Sequence, residues 1–421
     1  MYLKSTRFNM KKRQRRLNPI RIAFLVLLIA GGVYINQVVV PTIPPPFLPT
    51  PTITRAPESF ITDAEKYISE GKLFQAVASY ESAISANPTN AANYVSLARQ
   101  QIYLGLYDEA IDNLGKSLLV NENNPMAYAL RGWALGFKGD YLEAISALRR
   151  SIELSPNNAV AYAYLAEVYG LQYEANPLIA GVIDEAINNA AKARDLDPNS
   201  LETNRARGYI QWLIGNYTDA VQFYTAAIAI NPYISDLHIA LGVVYSTDTV
   251  NEYPLAVREF TEADLLNPSN PVPDYQLSVV YQKQGEYPTA IQYAEKAIAD
   301  NPYNQYYYGN LGTLYFRNEN YSKAAEILGY IIHGGVTEAG ITIEPLPLDY
   351  GIVASYFARF GISQARLGEC GDALKISQAL LDTVSSDENN VFNANEIVNI
   401  CQQLADGVVK TPVTNETTVE P

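Results

Sequence analysis

Apolar and small residues recur from about residue 57 to about 385 at the three-to-four-residue spacing of an α-helix, in short blocks punctuated by glycine and proline. The blocks are themselves periodic. Gly132, Ala144 and Pro156 are separated by twelve residues and twelve again, and the triple recurs as Ala64, Ala76 and Pro88, as Gly208, Ala220 and Pro232, and as Ser278, Ala290 and Pro302. Ala98 with Ala110 keeps the first two members, and Ala64, Ala98, Gly132 and Ala166 lie thirty-four residues apart in succession. A small side chain lets two helices approach closely, and an alanine one helix later completes the contact. The proline ends the second helix, because it has no N–H and restrains the residue before it. Asn87-Pro88, Ser155-Pro156, Asp197-Pro198, Asn231-Pro232, Asn267-Pro268 and Asn301-Pro302 are such stops. Gly71, Gly105, Gly139, Gly215, Gly285 and Gly368 each fall seven residues after a small residue, where a left-handed glycine closes the first helix.

In the third unit Tyr128, Arg131, Gly132, Leu135, Tyr141, Ala144, Leu148 and Pro156 occupy the repeat positions; in the fifth, Arg207, Gly208, Gly215, Tyr217, Ala220, Tyr224, Ala227 and Pro232 do. This pattern resembles the tetratricopeptide repeat family. The resemblance covers residues 57–387 in about nine units and implies an all-α, right-handed superhelical solenoid of TPR-like helix pairs. Three units depart from the period. About eight extra residues around 173–182 enlarge the turn of the fourth pair, two extra lie between Gly242 and Ala256, and His333–Asp349 reads as a long Gly- and Pro-containing loop. Glu388–Leu404 places Val391, Ile397, Ile400 and Cys401 at helical spacing, so residues 388–406 are assigned to a capping helix and 407–421 to a disordered tail.

Ahead of the repeats the pattern changes. Residues 1–21 carry eight basic and no acidic side chains, leaving −22 to the remainder of a chain whose net charge is −14. Residues 22–40 contain no charge and would span about 28 Å as a helix, close to the hydrocarbon core of a bilayer. With the basic residues before it, the positive-inside rule predicts a signal-anchor helix, a cytoplasmic N-terminus and an extracytoplasmic body. A cleaved signal peptide, or export through Arg15-Arg16, are the alternatives. Residues 41–56 are Pro- and Thr-rich and form an extended spacer of up to roughly 50 Å.

The two cysteines fall in the last units. Carrying the thirty-four-residue phase forward sets Cys401 opposite Leu367, three residues from Cys370, so the pair forms a disulfide in an oxidising compartment or two reduced buried thiols otherwise. His238 occupies a large-residue slot and His333 opens the long loop. Neither is joined by the partners that catalysis or a metal site requires, and no phosphate-binding glycine loop, HExxH or GxSxG occurs. The expectation is a non-enzyme with no cofactor, no metal and no nucleic-acid partner. The resemblance implies that first helices line a concave face that receives protein or peptide ligands. By that rule Arg99, Trp133, Arg205, Tyr209, Trp212, Tyr275, Tyr306 and Phe316 face the groove, although aromatic side chains in these slots also serve as packing between helices. Two functions follow: a membrane-anchored interaction scaffold, or an envelope spacer that binds copies of itself.

Overall fold

The computed structural model describes residues 18–39 and 55–408. The basic stretch before Asn18, most of the proline-rich spacer and the tail from residue 409 lie outside the described residues.

The chain divides into two units, the first ending at Arg55 and the second beginning at Ala56. In the first, α1 (Pro19–Tyr34) starts at a capping Asn18, whose side chain accepts the Ile20 N–H, and continues as a π-helical turn through Val39. Pro19–Val38 has a mean hydropathy of 1.8, and none of it is buried, so its Leu, Ile and Val side chains all face outward.

The second unit is a row of nine helix pairs and a cap. The first helices are α2 (Pro57–Ser69), α4 (Ala91–Tyr103), α6 (Pro125–Phe137), α8 (Ala159–Ala175), α10 (Leu201–Leu213), α12 (Ser235–Tyr245), α14 (Pro271–Gln284), α16 (Gln305–Arg317) and α18 (Ile352–Arg366). Their partners are α3 (Leu73–Ala86), α5 (Tyr107–Val120), α7 (Tyr141–Leu154), α9 (Val182–Leu196), α11 (Tyr217–Ile230), α13 (Tyr253–Leu266), α15 (Tyr287–Asp300), α17 (Tyr321–His333) and α19 (Cys370–Thr383). The cap is α20 (Glu388–Ala405), which packs on both α18 and α19. First helices of successive pairs also pack on one another, so they form the inner layer of the curve.

Local chemistry accounts for the boundaries. The residue ahead of each stop proline is held extended, as at Asn87, Ser155 and Asn231, and the second helix ends there. Asn90, Asn124, Asn270 and Asn304 then accept N–H groups at the start of the next first helix. The six glycines expected to be left-handed have φ from +75° to +85°. In the sixth and eighth pairs the same slot holds Asn251 (φ +54°) and Glu319 (φ +60°), and these are the two non-glycine residues with positive φ among those described.

The small-residue slots are filled from across the pair. A Cβ on Gly132 would stand 2.6 Å from Leu148, one on Gly312 2.5 Å from Leu328, and one on Gly242 2.7 Å from Phe260. A side chain at these positions would push the two helices apart, which is why the period selects glycine, alanine or serine there.

Two departures from the period take shapes that differ from the expected loops. The insertion of the fourth pair lengthens α8 by about one turn, and only residues 176–181 form a loop. The His333–Asp349 segment contains a short antiparallel ladder, β1 (Gly335–Val336) with β2 (Thr342–Ile343). It is tied down by burial of Ile343 and by the Leu346 N–H donating to the Ile331 carbonyl. His333 is the last residue of α17, edge-on to Phe360, and does not belong to the loop.

Successive pairs rotate enough for the row to meet itself. The Asn267 side-chain amide donates to the Leu104 carbonyl, 163 residues away and so about five periods along the chain. Gly71 abuts the Tyr233 ring, with a Cβ at Gly71 placed 2.5 Å from it. Gly71 is therefore required twice, for its left-handed backbone and for this approach. The first two pairs thus close onto pairs five and six, and the inner layer between them is enclosed.

Candidate functional site

Inside this closed turn the slot one residue after the small residue carries Arg99, Trp133 and Glu167 in three successive pairs. Trp133 stacks face to face on Tyr164 with ring centroids 4.2 Å apart, and its indole N–H donates to a Glu167 carboxylate oxygen at 2.8 Å. Arg205 reaches the same oxygen through Nε at 3.2 Å, pairs with Asp236 at 3.8 Å and lies over the Trp133 ring at 4.6 Å. One carboxylate therefore joins three first helices. Trp133 is 1% exposed and Arg205 8%.

These two residues therefore do not face an open groove as the repeat positions suggested. The fifth and sixth pairs curl over them, which converts groove positions into core. Glu167, Tyr164 and Asp236 belong to the same cluster and were not singled out from the sequence. Glu167 was accessible to it, since it occupies the slot of Arg99 and Trp133 one period on; a search for aromatic and Arg anchors passes over a carboxylate.

Electrostatics follow burial. Desolvation raises the pKa of Glu167, against the opposing pull of Arg205 and Trp133, and that of Asp236, against Arg205. For Arg205 burial acts to lower the pKa, but the two carboxylates outweigh it and hold the guanidinium charged. Tyr103 is pushed up to about 12 by burial, then by the negative field of Glu202. Glu167 Oε1, Arg205 Nη1, Tyr164 OH and Arg99 Nε are buried without hydrogen-bond partners.

The remaining groove candidates are more accessible. Tyr209 and Trp212 stack at 6.0 Å, both half-buried, and the Tyr209 hydroxyl donates to Glu174, whose pKa burial raises. Arg99 is half-buried. In the last three pairs Tyr275 is half-buried with its ring 5.2 Å from Tyr307, Phe316 meets Tyr321 edge-on at 5.8 Å, and Tyr306 is 47% exposed. Arg359 of α18 is half-buried; burial and the nearby Arg317 both lower its pKa, and its side chain donates to Ser355.

His238 and the cysteines have structural surroundings. His238 is buried with Nδ1 2.7 Å from Glu259 and Nε2 2.9 Å from the Pro232 carbonyl. Both partners accept, so both ring nitrogens carry protons and the imidazolium is the bound form. Glu259 and the Pro232 carbonyl raise its pKa against the effect of burial. Cys370 is the first residue of α19, within a helix and not in the preceding turn, and is bonded to Cys401 of α20 with Cα atoms 5.6 Å apart.

A row of helix hairpins stacked side by side, with an inner layer of first helices, defines an α-solenoid scaffold. Its units are tetratricopeptide repeats: two repeat models of that description match, one at residues 180–233 and 275–331 and another at 127–158. Both are repeat models and neither is a catalytic domain. Among solved structures, the Cut9 and Hcn1 hetero-tetramer of the APC/C aligns over 80% of this chain and 64% of that one, at 15% identity and a TM-score of 0.58. A tetratricopeptide repeat protein from Parabacteroides merdae aligns over 61% of this chain and 98% of its own, at 16% identity and a TM-score of 0.39. Pseudomonas aeruginosa pilF aligns over 49% and 90%, at 22% identity and 0.40. No curated protein shows significant sequence similarity to the chain. The likeness to Cut9–Hcn1 establishes the fold; scaffolds of this fold bind protein partners and are generally not enzymes.

Proposed function

We propose that the protein is a membrane-anchored scaffold whose solenoid, on the side of the bilayer opposite its N-terminus, receives a protein segment along the concave face of pairs seven to nine. The carrying observation is the contrast along the inner layer, where Trp133 and Arg205 are enclosed while Tyr275, Tyr306 and Phe316 remain accessible. Aromatic side chains on an accessible first-helix face are the usual anchors of an interface. Arg317 and Arg359 lie close together there, and among the described residues neither forms an ion pair with a carboxylate, so an acidic segment complements the face. Tyr209 and Trp212 extend the face toward the N-terminal pairs.

Anchoring and orientation are supported by the outward-facing apolar helix at Pro19–Val38 and by the basic residues preceding it. The Cys370–Cys401 bond suits an oxidising compartment. The division into basic tail, anchor, spacer, solenoid, cap and tail belongs to the same proposal. The test has two arms. Protease added to intact cells and to opened cells fixes which side holds the solenoid; digestion only after opening a cell whose outside is accessible overturns the orientation. A photo-crosslinking residue at Tyr306 captures the partner while one at Leu265, exposed on a second helix, does not; equal capture overturns the concave face.

A second reading, self-assembly into an envelope spacer, is favoured by Leu119, Leu142 and Leu265, which stand 69–89% exposed on second helices. Sedimentation of the detergent-solubilised chain over a concentration series decides it. Reversible oligomers that Leu119→Glu abolishes support self-assembly, and a constant monomer removes it.

A further inference from the structure

Where the row meets itself there is a cavity of about 550 Å³. One wall comes from the first two pairs (Tyr80, Arg99, Gln100, Tyr103) and the other from the fifth pair and the turn after it (Glu202, Tyr233). Its size is that of a small-molecule site, and aromatic walls with a few polar groups are what such sites use.

The polar groups are unfinished. Gln100 is 5% exposed, and its Oε1 has no partner. Arg99 Nε, also buried, has none. Arg99 is the cation of the lining and Glu202 the acid, and they stand on opposite walls without an ion pair between them. Gln100 Oε1 and Arg99 Nε, buried without partners, cost free energy unless something satisfies them, and the half-buried Glu202 adds a negative charge facing them. An inorganic anion would answer Arg99 alone, and a neutral apolar ligand would answer none of the three.

We infer that this seam binds a small zwitterion with an apolar side chain, an amino acid or short unblocked peptide, its carboxylate on Arg99, its ammonium on Glu202 and an N–H on Gln100 Oε1. The ligand would touch both ends of the closed turn and so hold it shut. This site is distinct from the concave face of pairs seven to nine and does not depend on the partner proposed there.

The experiment is calorimetric titration of the detergent-solubilised full chain with a pool of unmodified tripeptides bearing aliphatic or aromatic side chains, beside the same pool N-acetylated or C-amidated. Saturable binding is expected for the unmodified pool. Either block should weaken it roughly 10-fold or more, the loss of one charged hydrogen bond. Arg99→Gln should erase the penalty for amidation, and Glu202→Gln the penalty for acetylation, which a merely structural role would not do. Gly71→Val, which forces the walls apart at Tyr233, should abolish binding while circular dichroism stays helical. No binding of the unmodified pool, or equal binding of blocked and unblocked pools, overturns the inference. If a charge variant fails to fold, the end-group comparison on the unaltered protein decides alone.

Discussion

The N-terminal and C-terminal stretches of the solenoid are built from the same hairpin and held together differently. Pairs three to six join neighbouring first helices through buried charge: Glu167 receives Trp133 and Arg205, and Arg205 reaches on to Asp236. Pairs eight and nine and the cap use an apolar cluster, a small hairpin and the Cys370–Cys401 crosslink. A closed turn can satisfy a buried ion network from several sides, whereas an open end has water on its free faces and needs a covalent or apolar closure. The inner face is core in the first stretch and surface in the second for the same reason.

The largest test of that difference is Trp133→Ala. It removes a fully buried ring and strips Glu167 of a hydrogen bond, so unfolding stability should fall by about 3–5 kcal/mol. Hydrogen exchange should rise through residues 91–245 and little beyond 305; uniform deprotection would break the comparison. The converse change, Cys370→Ser with Cys401→Ser, opens a link spanning 31 residues. It should cost about 3 kcal/mol, confined to α18–α20. Alkylation and intact mass without reductant check the link itself, and two reactive thiols in the folded protein would refute it.

At the junction, Asp274 of α14 is buried with Lys296 at 3.6 Å, and its pKa is raised to about 6, by burial first and then by Asp264. The folded state therefore keeps this proton up to higher pH than the unfolded chain does. Its contribution to stability falls as pH rises from about 4 to about 6 and is then level. Asp274→Asn should remove that fall and gain on the order of 2 kcal/mol at pH 7; a variant that loses stability there shows the carboxylate to be better paired than its surroundings indicate. His238 runs the same way: with its pKa raised, the stability from its two hydrogen bonds is complete below about pH 6.5 and is lost as pH rises through the folded value. The smallest effect is Glu319→Gly. An exposed glutamate held at φ +60° is strained, and glycine should gain about 0.5–1 kcal/mol by thermal melting without altering partner capture.

The period, the helix pairs and the left-handed glycine slots were legible in the sequence, because each depends on residues within one unit. Glu319 and Asn251 show the limit of reading residue types alone: spacing marks their positions, yet neither is a glycine. Legible groove slots did not tell which were open. Trp133 and Tyr306 are both aromatic residues on first helices, and what buries one and not the other is the rotation accumulated over about five units, a property no local pattern carries. The ladder at Gly335–Ile343 was missed because two-residue strands leave too short an alternation to detect.

The hydrogen bond from Asn267 to Leu104 changes how the array should come apart. A simple row of repeats unravels from its ends, each unit lost at the cost of one neighbour. Here unit two has a second neighbour four places along, so peeling it away also loosens unit six. Melting of this stretch should then be all-or-none over nearly two hundred residues, while the far end frays unit by unit.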